Sequence, residues 1–83
     1  MKTLRKRIFF KATHRGMHEM DKIFSKFLDR ELENLDRDLL NDFDKLLDET
    51  DIDLLNWILG RDEVPEQFDK IISLLLVTLK EKF

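Results

Sequence analysis

Apolar residues recur at steps of three and four along most of this chain, and that spacing restricts its fold more than any other feature. Met17, Met20, Ile23, Phe24, Phe27, Leu28, Leu32 and Leu35 form one such stripe, and Leu39, Leu40, Phe43, Leu46 and Leu47 form a second. Phe68, Ile71, Ile72, Leu75, Leu76 and Leu79 form another after the single proline. A 3.6-residue repeat puts each set on one face of a helix, where it can be buried against the others.

The breaks in the pattern carry matching signals. Leu4, Ile8 and Phe9 suggest a short first helix with Arg5, Lys6, Arg7 and Lys11 around its polar side, stopping near Gly16. Asp36 is placed to cap a third helix, and Thr50 with Asp53 three residues on reads as a capping box. The fourth helix that follows carries Leu54, Leu55, Trp57, Ile58 and Leu59 and ends at Gly60. Pro65 is expected in the first turn of a fifth, where its missing N–H costs nothing. The expectation is an all-α fold: one domain over residues 1–83, a small bundle of about five short helices with a compact core over about 4–79.

Composition narrows the function classes. Hydrophobic residues make up 42% and charged residues 40%, as in soluble globular proteins. There is no cysteine, which excludes disulfides, thiolate catalysis and iron–sulfur ligation. The longest apolar run, Ile71 to Val77 interrupted by Ser73, is far short of a membrane span, so no membrane insertion is expected. Residues 1–16 hold no long apolar stretch of the secretory kind, and the amphipathic pattern continues from them into the rest of the chain. A bacterial cytoplasmic location is the expectation, with the mitochondrial matrix as the alternative.

Charge is segregated. Up to Arg15 there are six Lys or Arg residues and no acid, and the remainder carries 18 acids against nine bases. This reads as a basic arm on an acidic body, suited to an acidic partner, or as a helix whose solvent face is basic. Aspartates 36, 38, 42, 44, 48, 51 and 53 are mostly solvent-facing or capping by period, and their density disfavours nucleic acid.

Candidate sites are few. His14 and His18 are the only histidines, and their spacing matches no closed metal-site signature, so no metal is expected. The Ser and Thr residues lack any recognisable His–acid setting and the carboxylates read as helix surface, so no catalytic residues are assigned and the chain is not read as an enzyme. Gly16 and Gly60 stand alone and form no phosphate-binding loop. Gly16 is the more informative, because Arg15 precedes it and Glu19 follows by three. Two readings stay open: a mixed-charge contact patch with Arg7 and Lys11 nearby, or an internal Arg15–Glu19 pair that fastens the turn. Phe10 lies off the Leu4–Ile8 face and is expected to be exposed among Arg and Lys, as an interface hot spot or a stacking platform. Trp57 is expected in the core.

Arg15, Gly16, Met17, His18, Glu19, Met20 and Asp21 look like the RGxxE signature of the SdhE-type FAD assembly factors of succinate dehydrogenase. Asp51, Ile52, Asp53, Leu54, Leu55, Asn56 and Trp57 look like that family's D-x-D-L-x-x-W segment, and residues from Arg5 through Phe10 fit its first helix. The resemblance covers about residues 4–79. It implies a helical protein that binds the flavoprotein subunit of succinate dehydrogenase, with the fumarate reductase flavoprotein as a further client, and promotes covalent attachment of FAD to a client histidine. The implied chain holds no cofactor stably itself. Carried onto this sequence, Arg15, Gly16 and Glu19 face the client, with Arg7, Lys11, His14, His18 and Phe10 around them. Many members have Arg where this chain has His14, and a Tyr or Trp near Phe9 or Phe10; both departures bear on the strength of client binding. The alternative is a general helical adaptor using the basic arm, and a third reading is a nucleic-acid-binding helical protein.

Overall fold

The apolar stripes become five helices in the computed structural model, which describes residues 2–82, with side chains described for 3–80. These are α1 (Lys2–Thr13), α2 (His18–Glu31), α3 (Arg37–Leu46), α4 (Asp51–Ile58) and α5 (Asp69–Lys82). Two 3-10 turns, Leu32–Asn34 and Glu66–Phe68, extend α2 and lead into α5. Among the described residues there is no strand. The radius of gyration, 11.7 Å, is that of a compact globule.

Helix boundaries follow local chemistry. The Asp36 carboxylate accepts the Leu39 N–H at 2.9 Å, and the Thr50 hydroxyl accepts the Asp53 N–H at 3.2 Å, so both expected N-caps form. Gly60, at φ +74°, closes α4: its own N–H reaches the Trp57 carbonyl at 3.3 Å and the Arg61 N–H reaches that of Asn56 at 2.8 Å. This nested pair satisfies carbonyls that a helix end leaves free. Pro65 departs from expectation. It lies in extended backbone (φ −56°, ψ 141°) before the Glu66–Phe68 turn, and α5 begins four residues later. The intervening tight turn delivers buried Phe68 against Trp57, ring centroids 5.8 Å apart.

The core is built from every helix. Phe43 of α3 lies at its aromatic centre, 5.6 Å from the Phe24 ring and 5.4 Å edge-on from that of Phe27, both on α2. Ile8 and Ala12 of α1, Leu54 and Trp57 of α4, and Ile71, Ile72 and Leu75 of α5 complete it. Edge-to-face rings match the positive rim of one to the negative face of another and add to what area burial contributes. Thr78, within the α5 stripe, is also buried; its hydroxyl donates to the Leu74 carbonyl at 3.0 Å, which makes the polar group compatible with the core. α1 packs on α2 and α3, leaving the α1–α2 turn at the surface beside the α3–α4 turn.

Candidate protein-binding surface at the first interhelical turn

Four of the six early bases turn inward to the chain itself. Arg5 donates from Nε to the Leu32 carbonyl (3.2 Å) and from Nη2 to that of Leu35 (3.1 Å), satisfying acceptors beyond the end of α2. Arg7 pairs with Asp44 at 2.8 Å. Lys11 reaches Asp44 Oδ1 at 3.0 Å, the Asp44 carbonyl at 3.2 Å and Asp48 Oδ1 at 2.9 Å. The basic segment is therefore a helix stapled to the acidic edge of α3, neither a detached arm nor a helix with an uncommitted basic face.

The titration of these groups follows. Partial burial works against the charge on Asp44, but hydrogen bonds from Lys11 and Arg7 and their positive charges outweigh it and hold the carboxyl below its ordinary value. Burial likewise opposes the Lys11 charge, and the Asp48 and Asp44 carboxylates overcome it, raising the ammonium above its ordinary value.

Arg15 is committed more fully still. Nη1 donates to the Leu47 carbonyl and Nη2 to the Glu49 carbonyl, each at 2.6 Å, and Nε pairs with the Asp51 carboxylate. Its main-chain N–H is accepted by Asp21 Oδ1 at 3.1 Å. Only 11% of the side chain is exposed. The turn is thus fastened from within, as one of the two open readings has it, but through Asp51 and the α3–α4 turn instead of Glu19.

Gly16 comes next, at φ +88°, a conformation that disfavours any residue with a Cβ. A Cβ built there would meet nothing within 4 Å, so the position is open to solvent on that side. His18 and Glu19 are exposed as well.

Phe10 is 61% exposed, as its place off the buried face predicts, and His14 stacks on it with centroids 4.1 Å apart and planes at 15°. His14 Nδ1 lies 3.0 Å from the Phe10 carbonyl. A carbonyl only accepts, so Nδ1 is the donor in this contact. The stacked pair is shared by two grooves. One, of about 570 Å³, is completed by Arg5, Lys6, Phe9, Leu32 and Glu33; the other, of about 300 Å³, by Lys11, Arg15 and Leu47. The structure so gathers Phe10, Lys11, His14 and Arg15 in one depression. Arg7 lies apart, against Asp44, and His18 lines a separate depression with Asp21, Lys22 and Ser25.

Sequence reasoning missed the acceptors. Asp44, Asp48 and Asp51 read as solvent-facing or capping aspartates, and the excess of bases before Arg15 over acids after it was the only signal that the two sets meet. Among the described residues, no three His, Cys, Asp or Glu side chains are grouped so as to hold a metal ion, and no helix is long and apolar enough to cross a membrane. Compared with known proteins, residues 6–78 match the model of the Sdh5 family, described as flavinator of succinate dehydrogenase. No curated protein and no solved structure shows significant similarity to the chain.

Proposed function

Because this chain belongs to the Sdh5 family of succinate dehydrogenase flavinators, we propose that it binds the flavoprotein subunit of succinate dehydrogenase and promotes covalent attachment of FAD to a histidine of that subunit. The fumarate reductase flavoprotein is a second client in this reading. The redox chemistry belongs to the flavin in its client. The chain's contribution is positional: it holds the client in an arrangement where acceptor histidine and flavin are aligned, an effect in which small displacements change rates strongly.

The observation that carries the reading is the α1–α2 turn within the matched region: Gly16 with open space where a side chain would be, next to exposed His18 and Glu19. Phe10 and His14 add an aromatic, partly polar ridge beside it, with Lys11, Arg15 and, further along α1, Arg7 supporting. Exposed aromatic groups beside fixed charges are the composition of interface hot spots. The adaptor and nucleic-acid readings have less support, since Arg5, Arg7, Lys11 and Arg15 are bound to this chain's own carbonyls and carboxylates.

Covalent flavin on the client, read by in-gel fluorescence after denaturation with FAD supplied, tests the proposal. The expected result is a signal that rises with the chain and fails to rise with Gly16→Arg or Glu19→Gln. Equal fluorescence with and without the chain would overturn it.

A further inference from the structure

Locally the α1–α2 turn is held by the stack of His14 on Phe10 and by Asp21, whose carboxylate accepts the Arg15 main-chain N–H. Residues 14–17 lie between helices, Gly16 contributes no side chain, and Met17, the N-cap of α2, makes no side-chain cap hydrogen bond. The acceptors of the Arg15 side chain come from 32 to 36 residues along the chain. Each of the three nitrogens of the Arg15 guanidinium is engaged there: one on the C-cap of α3, one on the α3–α4 turn and one on the first residue of α4. A planar fork with donors in fixed directions can span three such acceptors at once, and a lysine ammonium on the same stem cannot. The Asp21 carboxylate, one turn into α2, takes the Arg15 main-chain N–H as well. Arg15 is therefore mostly covered, while Gly16, His18 and Glu19, which follow it in the chain, are exposed.

We propose that Arg15 is a positioning residue, and that it serves client binding from behind by locking the turn that presents Gly16 and Glu19, with Asp51 as the other half of the same device. The inference rests on the reading of this turn as the client-facing surface. It gives Asp51, which opens the D-x-D-L-x-x-W segment, a role in client binding at a distance from the client. The charged group that meets the client at this turn is Glu19, not the Arg15 guanidinium.

The two roles for Arg15 predict opposite signs at Asp51. If the guanidinium reached the client, removing the Asp51 carboxylate would release it and leave binding unchanged or tighter. If Arg15 positions the turn, the same change loosens the turn and weakens binding. Asp51→Asn keeps the shape of the side chain and leaves the Thr50 cap of α4 in place.

The experiment is a titration of the FAD-loaded flavoprotein subunit with the full chain as wild type, Arg15→Lys, Asp51→Asn and the double variant. Backbone amide exchange is measured on each free chain in parallel. Both single variants are expected to bind about ten- to a hundredfold more weakly, the range that loss of positioning produces, and the double variant no more weakly than the worse single. The hydrogen-bonded amides of the turn, those of Arg15 and Asp21, should exchange faster in both single variants, with those of the core helices still protected. Wild-type affinity for Asp51→Asn, additive losses in the double variant, or unchanged exchange at the Arg15 and Asp21 amides would each overturn the positioning role. Absence of wild-type binding would overturn it from the other side, by removing the client reading beneath it. Should Asp51→Asn lose core protection as well, Asp51→Glu is titrated instead; it keeps the charge at a changed distance and is expected to bind between wild type and Arg15→Lys, while affinity at or above wild type would refute the proposal.

Discussion

Arginine placed at Gly16 and, separately, at Gly60 distinguishes backbone strain from loss of a binding surface. Both glycines have positive φ, +88° and +74°, and neither has an atom within 4 Å of the place a Cβ would occupy. Steric overlap with neighbours is therefore absent at both, and the cost is conformational. Holding a residue with a Cβ in left-handed backbone costs about 1–2 kcal/mol. Restricting the unfolded chain by replacing glycine returns about 0.4–1 kcal/mol of that. The net is about 1 kcal/mol of destabilisation at each site, or about 4–8 °C in Tm for a domain of this size. Thermal unfolding followed by circular dichroism should thus give similar, modest shifts for the two variants. Client flavinylation, read by in-gel fluorescence well below either Tm, should be lost with Gly16→Arg and retained with Gly60→Arg. A Tm fall at Gly16 far beyond this range would refute the argument from open space. Equal loss of flavinylation at Gly60 would show that stability, not the surface of the first turn, controls the activity.

Phe43→Ala should cost about 3–5 kcal/mol, because the ring it removes packs between two others and the helices can close only part of the gap; urea unfolding checks this as a lowered midpoint. Thr50→Ala should cost about 1 kcal/mol by freeing the Asp53 N–H at the start of α4, measured the same way. The folded Asp44 carboxyl titrates below 3.8, so its contribution is whole above that value and disappears as pH falls through the depressed one; folded Lys11 titrates above 10.5, so its contribution is whole below that value and disappears as pH rises through the raised one. Asp44→Asn should accordingly flatten the acid limb of a stability-against-pH profile, and an unchanged acid limb would refute the α1–α3 ion pairs.

Much of this architecture can be read from spacing alone, because burial and capping are local. Met20, Phe24, Phe27 and Phe43 fall on the faces their periods assign, and Asp36, Thr50 and Gly60 act within four residues of themselves. Phe10 is legible for the same reason: a residue off the buried face of a short helix has nowhere to go but solvent. Arg15 shows where local reasoning stops. Its nearest acid in sequence terms is Glu19, at a spacing that makes a pair plausible, yet its acceptors belong to a turn brought alongside only by the packing of α1 on α3. Lys11 and Asp44 meet through the same crossing. Pro65 reads as a helix start because its missing N–H suits one, but Phe68 takes part in the Trp57 contact and a tighter turn comes between. Thr78 is hidden from a pattern of apolar residues because its hydroxyl is satisfied one helical turn back.

The staples between α1 and α3 also bear on the order in which the molecule is made. Of the five helices α1 is translated first, yet the acids that hold Arg7 and Lys11 follow 33 to 37 residues later, and Asp51, which holds Arg15, follows 36 residues after it. Closing loops of that length carries an entropic cost before any contact compensates it. A nascent chain that has not reached Asp44 therefore holds a positively charged segment whose carboxylate partners do not yet exist. The helix that comes first in synthesis is completed only after α3 has been made, and the turn after it acquires its anchors only when the middle of the protein has arrived.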